Sequence, residues 1–347
     1  MRVLVTGGAG FIGSHIVDAL AEAGHQVRVV DRLHPRAHDR RPAHVRDDVD
    51  YLWEDLADPA VATAAAADVD AVCHQAAMVG LGVDFDDVGG YVHDNDAATA
   101  ALLRALHHRD FDGRLVLASS MVVYGEGRYR CSSHGLIPAP PRAAADLDAG
   151  RYEPRCPDCG SELRAEPVPE TAATDPRNVY AATKLHQEHL CRAYAREHPG
   201  TTVTALRYHN VYGARMPRDT PYAGVASIFR SALEAGRPPL VFEDGGQRRD
   251  FIDVRDVARA NVLALTLPEP VDGAVNVATG RPHTVLDMAS ALADAMGGPS
   301  PEVVGGHRLG DVRHVFASAD HARAALGFSA EVDFESGMTD FATAPLR

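Results

Sequence analysis

Val3-Leu4-Val5-Thr6-Gly7-Gly8-Ala9-Gly10-Phe11-Ile12-Gly13-Ser14-His15 decides the fold. An apolar run of strand type ends in a glycine turn, and an amphipathic run follows at once through Ile12, Ile16, Val17 and Leu20, closing near Gly24. A strand, Gly-x-x-Gly-x-x-Gly (Gly7, Gly10, Gly13) and a helix form a phosphate cradle. The early glycines make the turn and admit a pyrophosphate to the backbone, Gly13 lets helix and strand pack closely, and the N–H groups of the helix start face the anion. The second strand, Gln26-Val27-Arg28-Val29-Val30, ends on Asp31, where a dinucleotide fold places a carboxylate for the adenosine ribose hydroxyls. Asp31 would repel a 2′-phosphate, which favours NAD over NADP. Arg32 beside it points the other way, because a guanidinium can bind that phosphate.

Strand-like and helix-like segments alternate through about residue 205, the pattern of a doubly wound parallel α/β sheet. Val69–Cys73 and Arg114–Ala118 read as its fourth and fifth strands, with His74 and Ser120 at their carboxyl ends, where such sheets bind ligands. Past residue 205 glycine, proline and arginine motifs increase, so 1–205 reads as the cofactor domain and 206–347 as a smaller substrate lobe. A formal charge of −14 over 347 residues argues against nucleic acid and anionic membrane surfaces. No apolar run approaches the roughly 20 residues of a spanning helix. Met1 leads directly into a core strand, which predicts a cytoplasmic protein without a signal peptide.

Tyr180-Ala181-Ala182-Thr183-Lys184 opens a helical pattern, and a spacing of four puts Tyr180 and Lys184 on one face. A nearby ammonium favours phenolate, so Lys184 is expected to lower the pKa of Tyr180 and make it a general base. Joined to the glycine motif, this pair resembles the short-chain dehydrogenase/reductase superfamily in its extended form. Thr6–Gly13 is similar, without a gap, to the nucleotide-sugar epimerase/dehydratase members, and the likeness covers nearly the whole chain.

The resemblance implies a Rossmann-type fold, NAD, and a set of roles. Gly7, Gly10, Phe11, Ile12, Gly13, Asp31 and Arg32 would meet the cofactor. So would the pair Asp55-Leu56, the turn residues Gln75, Ala76 and Ala77, and Asn95, together with Tyr180 and Lys184. In Ser119-Ser120-Met121-Val122-Val123-Tyr124-Gly125 the catalytic hydroxyl is Ser120, and Ser120 and Met121 would also touch substrate. Asn210, in Arg207–Gly213, would bind the substrate phosphates. Tyr222 would also touch substrate, and Arg249 of Arg248-Arg249-Asp250-Phe251 and Arg308 with Asp311 would hold the diphosphate and nucleotide ribose. Ala98 stands where a glycine is usual and His209 where an aromatic is usual. A homodimer built on helix pairs is also implied.

Tyr180 as base, Ser120 on the same oxygen and NAD as hydride acceptor suffice to oxidise a sugar carbinol and reduce it again from the opposite face. Dehydratases and decarboxylases of the family carry a carboxylate just after the catalytic hydroxyl; Met121 and Val122 occupy those positions and transfer no proton. The expected activity is therefore epimerisation of a dTDP- or UDP-linked sugar at C4 through a transient 4-keto species. The alternatives are an NAD(P)H-dependent 4-ketoreductase of a deoxysugar pathway and a non-catalytic dinucleotide sensor. His74 and His209 read as packing and orienting residues.

Between Tyr124 and Tyr180 the chain runs through proline-rich, poorly periodic sequence, residues 126–172. It holds Cys131-Ser132-Ser133-His134-Gly135 and Cys156-Pro157-Asp158-Cys159-Gly160. Two two-residue-spaced pairs, each followed by glycine, read as two knuckles of one tetrahedral Cys₃His zinc site: Cys131, His134, Cys156 and Cys159. Four ligands leave no open position, so the metal would be structural.

Overall fold

The structure, a computed structural model, describes residues 1–35, 37–38, 40–80, 85–218, 224–308 and 311–347. Tyr222 lies outside them. Strand β1 (Arg2–Thr6) is continuous in apolar character because both its faces are covered: Val3, Leu4 and Val5 are all completely buried. With β2 (Gln26–Val30), β3 (Asp50–Leu52), β4 (Ala71–His74), β5 (Arg114–Ser120), β6 (Thr202–Tyr208) and β7 (Gly273–Val277) it forms a parallel sheet of seven strands, ordered β7-β6-β5-β4-β1-β2-β3.

Alternation along each strand feeds two layers of helices. Val3 and Val5 face α1 (Phe11–Glu22), through Ile16, Val17 and Leu20. Leu4, Val72 and Leu115 face the other layer, made by α2 (Pro59–Ala66), α3 (Ala98–His108) and α4 (Val179–Glu197), through Ala62, Leu102, Leu106 and Cys191. Helix α5 (Val254–Thr266) joins α1 on the first face with Val257, Ala260 and Ala264. Strand order reverses between β1 and β4, and a crevice opens there beyond the carboxyl ends.

The sheet draws strands from both sides of residue 205. Strand β6 runs on to Tyr208, and β7 returns beside it with Val275 against Leu206 and Val277 against Tyr208. The rest of the C-terminal part has its own core, in which Phe229 and Leu233 meet Met288, Leu292, Met338 and Phe341.

The insertion is more regular than its proline-rich composition suggested. Gly135–Ile137, Arg128–Cys131 and Arg164–Glu166 form a three-stranded antiparallel sheet, with a short helix at Ala144–Asp148. Short strands of three or four residues carry too few positions for a period to be read. Tyr129, Cys131, Cys156 and Leu163 make a small core that Phe316, from the C-terminal part, completes.

Candidate active site

A cleft of about 470 Å³ lies over the strand ends. Its walls include Gly7, Gly10, Phe11, Ile12, Gly13, Asp31, Arg32, Asp55, Leu56, Gln75, Ala76 and Ala77, then Ser120, Met121, Tyr180, Lys184 and Asn210. Gly7 sits at φ 67°, and a Cβ there would fall 2.8 Å from the Ala76 backbone. Thr6 fastens the same two loops: its Oγ1 accepts N–H groups of Gln75 and Ala76, each at 3.0 Å, and pairs with His74 Nδ1 at 2.7 Å. The glycine loop and the turn after β4 are therefore packed backbone to backbone, and both lie along the cleft.

At the far end of this trough, Asp31 accepts the N–H of Ala9 at 3.0 Å and of Leu33 at 2.8 Å. Arg32 does not stand ready for a 2′-phosphate. Its guanidinium is held by Asp55 at 2.6 Å and by both oxygens of Asp94 at 2.7 and 2.8 Å. Two carboxylates already match its charge, so the argument for NADP falls away. Asn95 is also placed otherwise than expected, off the cleft wall and fully buried. Its amide is taken up by the Met78 backbone at 2.7 and 3.0 Å and by Thr183 Oγ1 at 2.8 Å. These bonds tie the start of α4 to the loop after β4.

Helix α4 starts where Asn178 caps it, accepting the Ala181 N–H at 2.8 Å. This sets Tyr180 and Lys184 one turn apart on the cleft. Ser120 ends β5, and its hydroxyl faces the same cleft as the Tyr180 phenol. The cleft opposes the expected lowering of the Tyr180 pKa. Burial pushes the phenol up to about 12 against the opposing effect of Ser120, and burial brings Lys184 down to about 7. Lys184 Nζ donates to the Ala118 carbonyl at 2.9 Å instead, pinning α4 to β5. Spacing along a helix shows which groups share a face; it carries no measure of how dry that face is.

Below Ser120 lies a network that the sequence did not signal. Arg207 meets Glu188 through two bonds of 2.9 and 2.8 Å and donates to Tyr124 Oη at 3.0 Å; Tyr124 donates to Asn276 at 2.8 Å. Ser119 closes onto Glu188. These residues come from β5, α4, β6, β7 and the turn after Ser120, and together they fix the strand end that carries the hydroxyl. His209 also lines the cleft, but burial brings it down to about 3, so it is neutral. His74 is likewise brought down to about 3 and bonds Thr6 and Thr99, an orienting residue as expected.

The expected substrate contacts divide. Met121 and Asn210 lie on the cleft; Arg249, Arg308 and Asp311 are not on its walls. Asp311 sits within the field of both Arg249 and Arg308, and the Arg308 guanidinium lies 5.2 Å over the Phe242 ring. Arg249 donates to backbone carbonyls of Arg248, Val312 and Arg313 at 2.7 to 2.9 Å.

In the insertion, the ligand atoms of Cys131, His134, Cys156 and Cys159 all lie within 4.8 Å of one another. Cys131 Sγ is 3.7 Å from Cys159 Sγ and 3.6 Å from His134 Nδ1, which is 3.3 Å from Cys156 Sγ. A tetrahedral ion with zinc's bond lengths needs edges of about 3.8 Å between sulfurs and about 3.5 Å between sulfur and nitrogen. The separations suit such an ion.

The model of the "NAD dependent epimerase/dehydratase family" matches residues 3–144 and 157–278. A dTDP-L-rhamnose 4-epimerase of Burkholderia thailandensis is 33% identical over 350 residues, 99% of this chain and 94% of that protein. Among solved structures, a UDP-glucose 4-epimerase of Thermotoga maritima with UDP-glucose superposes with a TM-score of 0.80 at 28% identity, covering 99% of this chain and 97% of the other. A Thermus thermophilus UDP-glucose 4-epimerase in complex with NAD gives 0.76 at 30% identity, covering 99% and 98%. The phosphate cradle, the Asp31 carboxylate and the Ser120–Tyr180–Lys184 set thus stand in a chain that belongs to the NAD dependent epimerase/dehydratase family.

Proposed function

We propose that the protein inverts C4 of a dTDP- or UDP-linked sugar. The carrying observation is Ser120, Tyr180 and Lys184 gathered at the dinucleotide cleft, with Met121 and Val122 beside them where a second acid–base pair would have to stand. The glycine trough, the Asp31 carboxylate and the charge-matched Arg32 would hold NAD, which would supply a hydride acceptor and donor at C4 and a positive ring that favours the Tyr180 phenolate. Tyr180 takes the proton of the C4 hydroxyl and gives it back, Ser120 holds that oxygen, and Lys184 keeps α4 against β5. Asn210, Arg249, Arg308 and Asp311 hold the nucleoside diphosphate, while the keto-sugar turns between hydride transfers. Residues 1–205 serve the cofactor, and most of 206–347 serves the nucleotide sugar.

Purified protein should carry NAD and interconvert C4 epimers of a dTDP- or UDP-hexose by NMR, with no net consumption of added NADH. Stoichiometric NADH oxidation would make it the 4-ketoreductase instead. Native mass spectrometry should weigh a homodimer.

The cluster Cys131, His134, Cys156 and Cys159 holds one structural zinc. Elemental analysis should find about one zinc per chain, with Zn–S near 2.3 Å by X-ray absorption. Cys156→Ser with Cys159→Ser should lose the metal and raise KM more than it weakens NAD retention. Metal-free protein with free thiols and full activity, isolated without chelator, would overturn the assignment.

A further inference from the structure

Glu243 stands in a conformation that favours glycine, φ 56°, and its carboxylate is buried. Two guanidinium groups explain why it stays there. Its Oε1 meets Arg142 Nη2 at 2.8 Å and its Oε2 meets Arg313 Nη1 at 2.9 Å. Arg142 belongs to the insertion, and the same Nη2 donates to the Asp311 carbonyl at 2.7 Å. A second strut runs in parallel: Glu153 of the insertion binds Arg313 at 2.8 Å and His314 at 2.9 Å. The insertion is thereby hooked to two segments at once, the one that follows Phe242 and the one that holds Arg308 and Asp311. The side chains of Arg142 and Glu243 are 4% and 1% exposed. Removing Glu243 leaves the Arg142 guanidinium without a carboxylate out of water, and removing Arg142 leaves Glu243 to Arg313 alone, unlike breaking a surface pair.

We propose that Arg142 is a positioning residue for substrate: it sets the Asp311 peptide and the Glu243 turn so that Phe242, Arg308 and Asp311 converge on a nucleoside diphosphate. The inference rests on the reading of Arg308 and Asp311 given under Proposed function. Through Arg142 the insertion, which holds no part of the cofactor cleft, governs the grip on the nucleotide.

The test is calorimetry of the NAD-loaded enzyme with UDP and with dTDP, beside steady-state kinetics. Arg142→Ala should weaken binding of the better nucleotide and raise KM by about tenfold, inside the span usual for coupled sites, with kcat within about twofold of wild type. NAD and zinc content should stay as in wild type, and Arg142→Lys should recover part of the affinity. Glu243→Gly suits the left-handed backbone but leaves the Arg142 guanidinium without its carboxylate, so it should weaken nucleotide binding and lower the melting temperature together, while remaining folded enough to load NAD. Wild-type nucleotide affinity in folded Arg142→Ala and Glu243→Gly would overturn the proposal, as would a parallel fall of kcat and NAD content in both. Wild type that binds neither nucleotide would remove the nucleotide reading and this inference together; normal wild-type binding with unchanged variants removes this inference alone.

Discussion

Tyr180→Phe should give folded, NAD-loaded protein whose turnover is lower by at least about 10²-fold, with KM little changed, as expected when a general base is removed without its ring. The substitution deletes one oxygen and keeps the packing against Tyr91, whose ring centroid lies 6.2 Å away. Among the described residues beside Tyr180, three candidates for the proton are already engaged or inert, which leaves the neutral His209 on the same cleft as the group to watch. Lys184 Nζ is engaged by the Ala118 carbonyl, both ring nitrogens of His74 are bonded to threonines, and Met121 and Val122 have no ionisable group. Burial opposes the phenolate, so wild-type turnover should rise with pH as the base form is populated, and the variant's residual rate should lose that slope. Ser120→Ala should cost less, because Ser120 supports the same oxygen without accepting its proton. Near-normal turnover of Tyr180→Phe would assign the proton to another group.

Gly13→Ala should expel the cofactor and destabilise the protein by about 1–3 kcal/mol, the scale of forcing atoms into a filled space. Helix propensity alone gives the opposite sign, since alanine gains about 0.5–1 kcal/mol over glycine inside a helix. Contact geometry decides between them. A Cβ on Gly13 would lie 2.2 Å from the Gly7 carbonyl oxygen and 3.0 Å from Gly8 Cα, all backbone of the turn itself. That carbonyl also accepts the Gly10 N–H at 3.1 Å, so moving it opens the turn. Thermal melts and the NAD content of purified protein check both parts; a stabilised variant retaining NAD would show that the turn gives way at no cost.

What was legible in the chain was whatever lies close together in it. The first strand, its glycine turn and α1 occupy 21 consecutive residues and appear in the structure as read. Tyr180 and Lys184 share a face because four residues make about one turn. The two Cys/His pairs announce themselves by spacing, and the fold brings them within reach of each other. The surroundings of Asn95, Arg32 and the Tyr180 phenol were not legible, each for the same reason: they are set by partners far off in sequence or by burial. The Arg142–Glu243 contact joins residues about a hundred positions apart, and neither has a local pattern that marks it. Strand β7 was hidden too, as five residues placed beyond a long stretch of mixed composition.

Because β7 lies along β6, the molecule cannot be divided at residue 205 without baring an edge. A fragment ending there would cut β6 short of Leu206 and Tyr208 and leave its remaining ladder open to other chains, the usual start of aggregation. The two parts should melt in one calorimetric transition. A ligand bound to either then raises the same midpoint, and NAD should protect from protease even bonds far from its cleft, such as those around Phe229 and Met288.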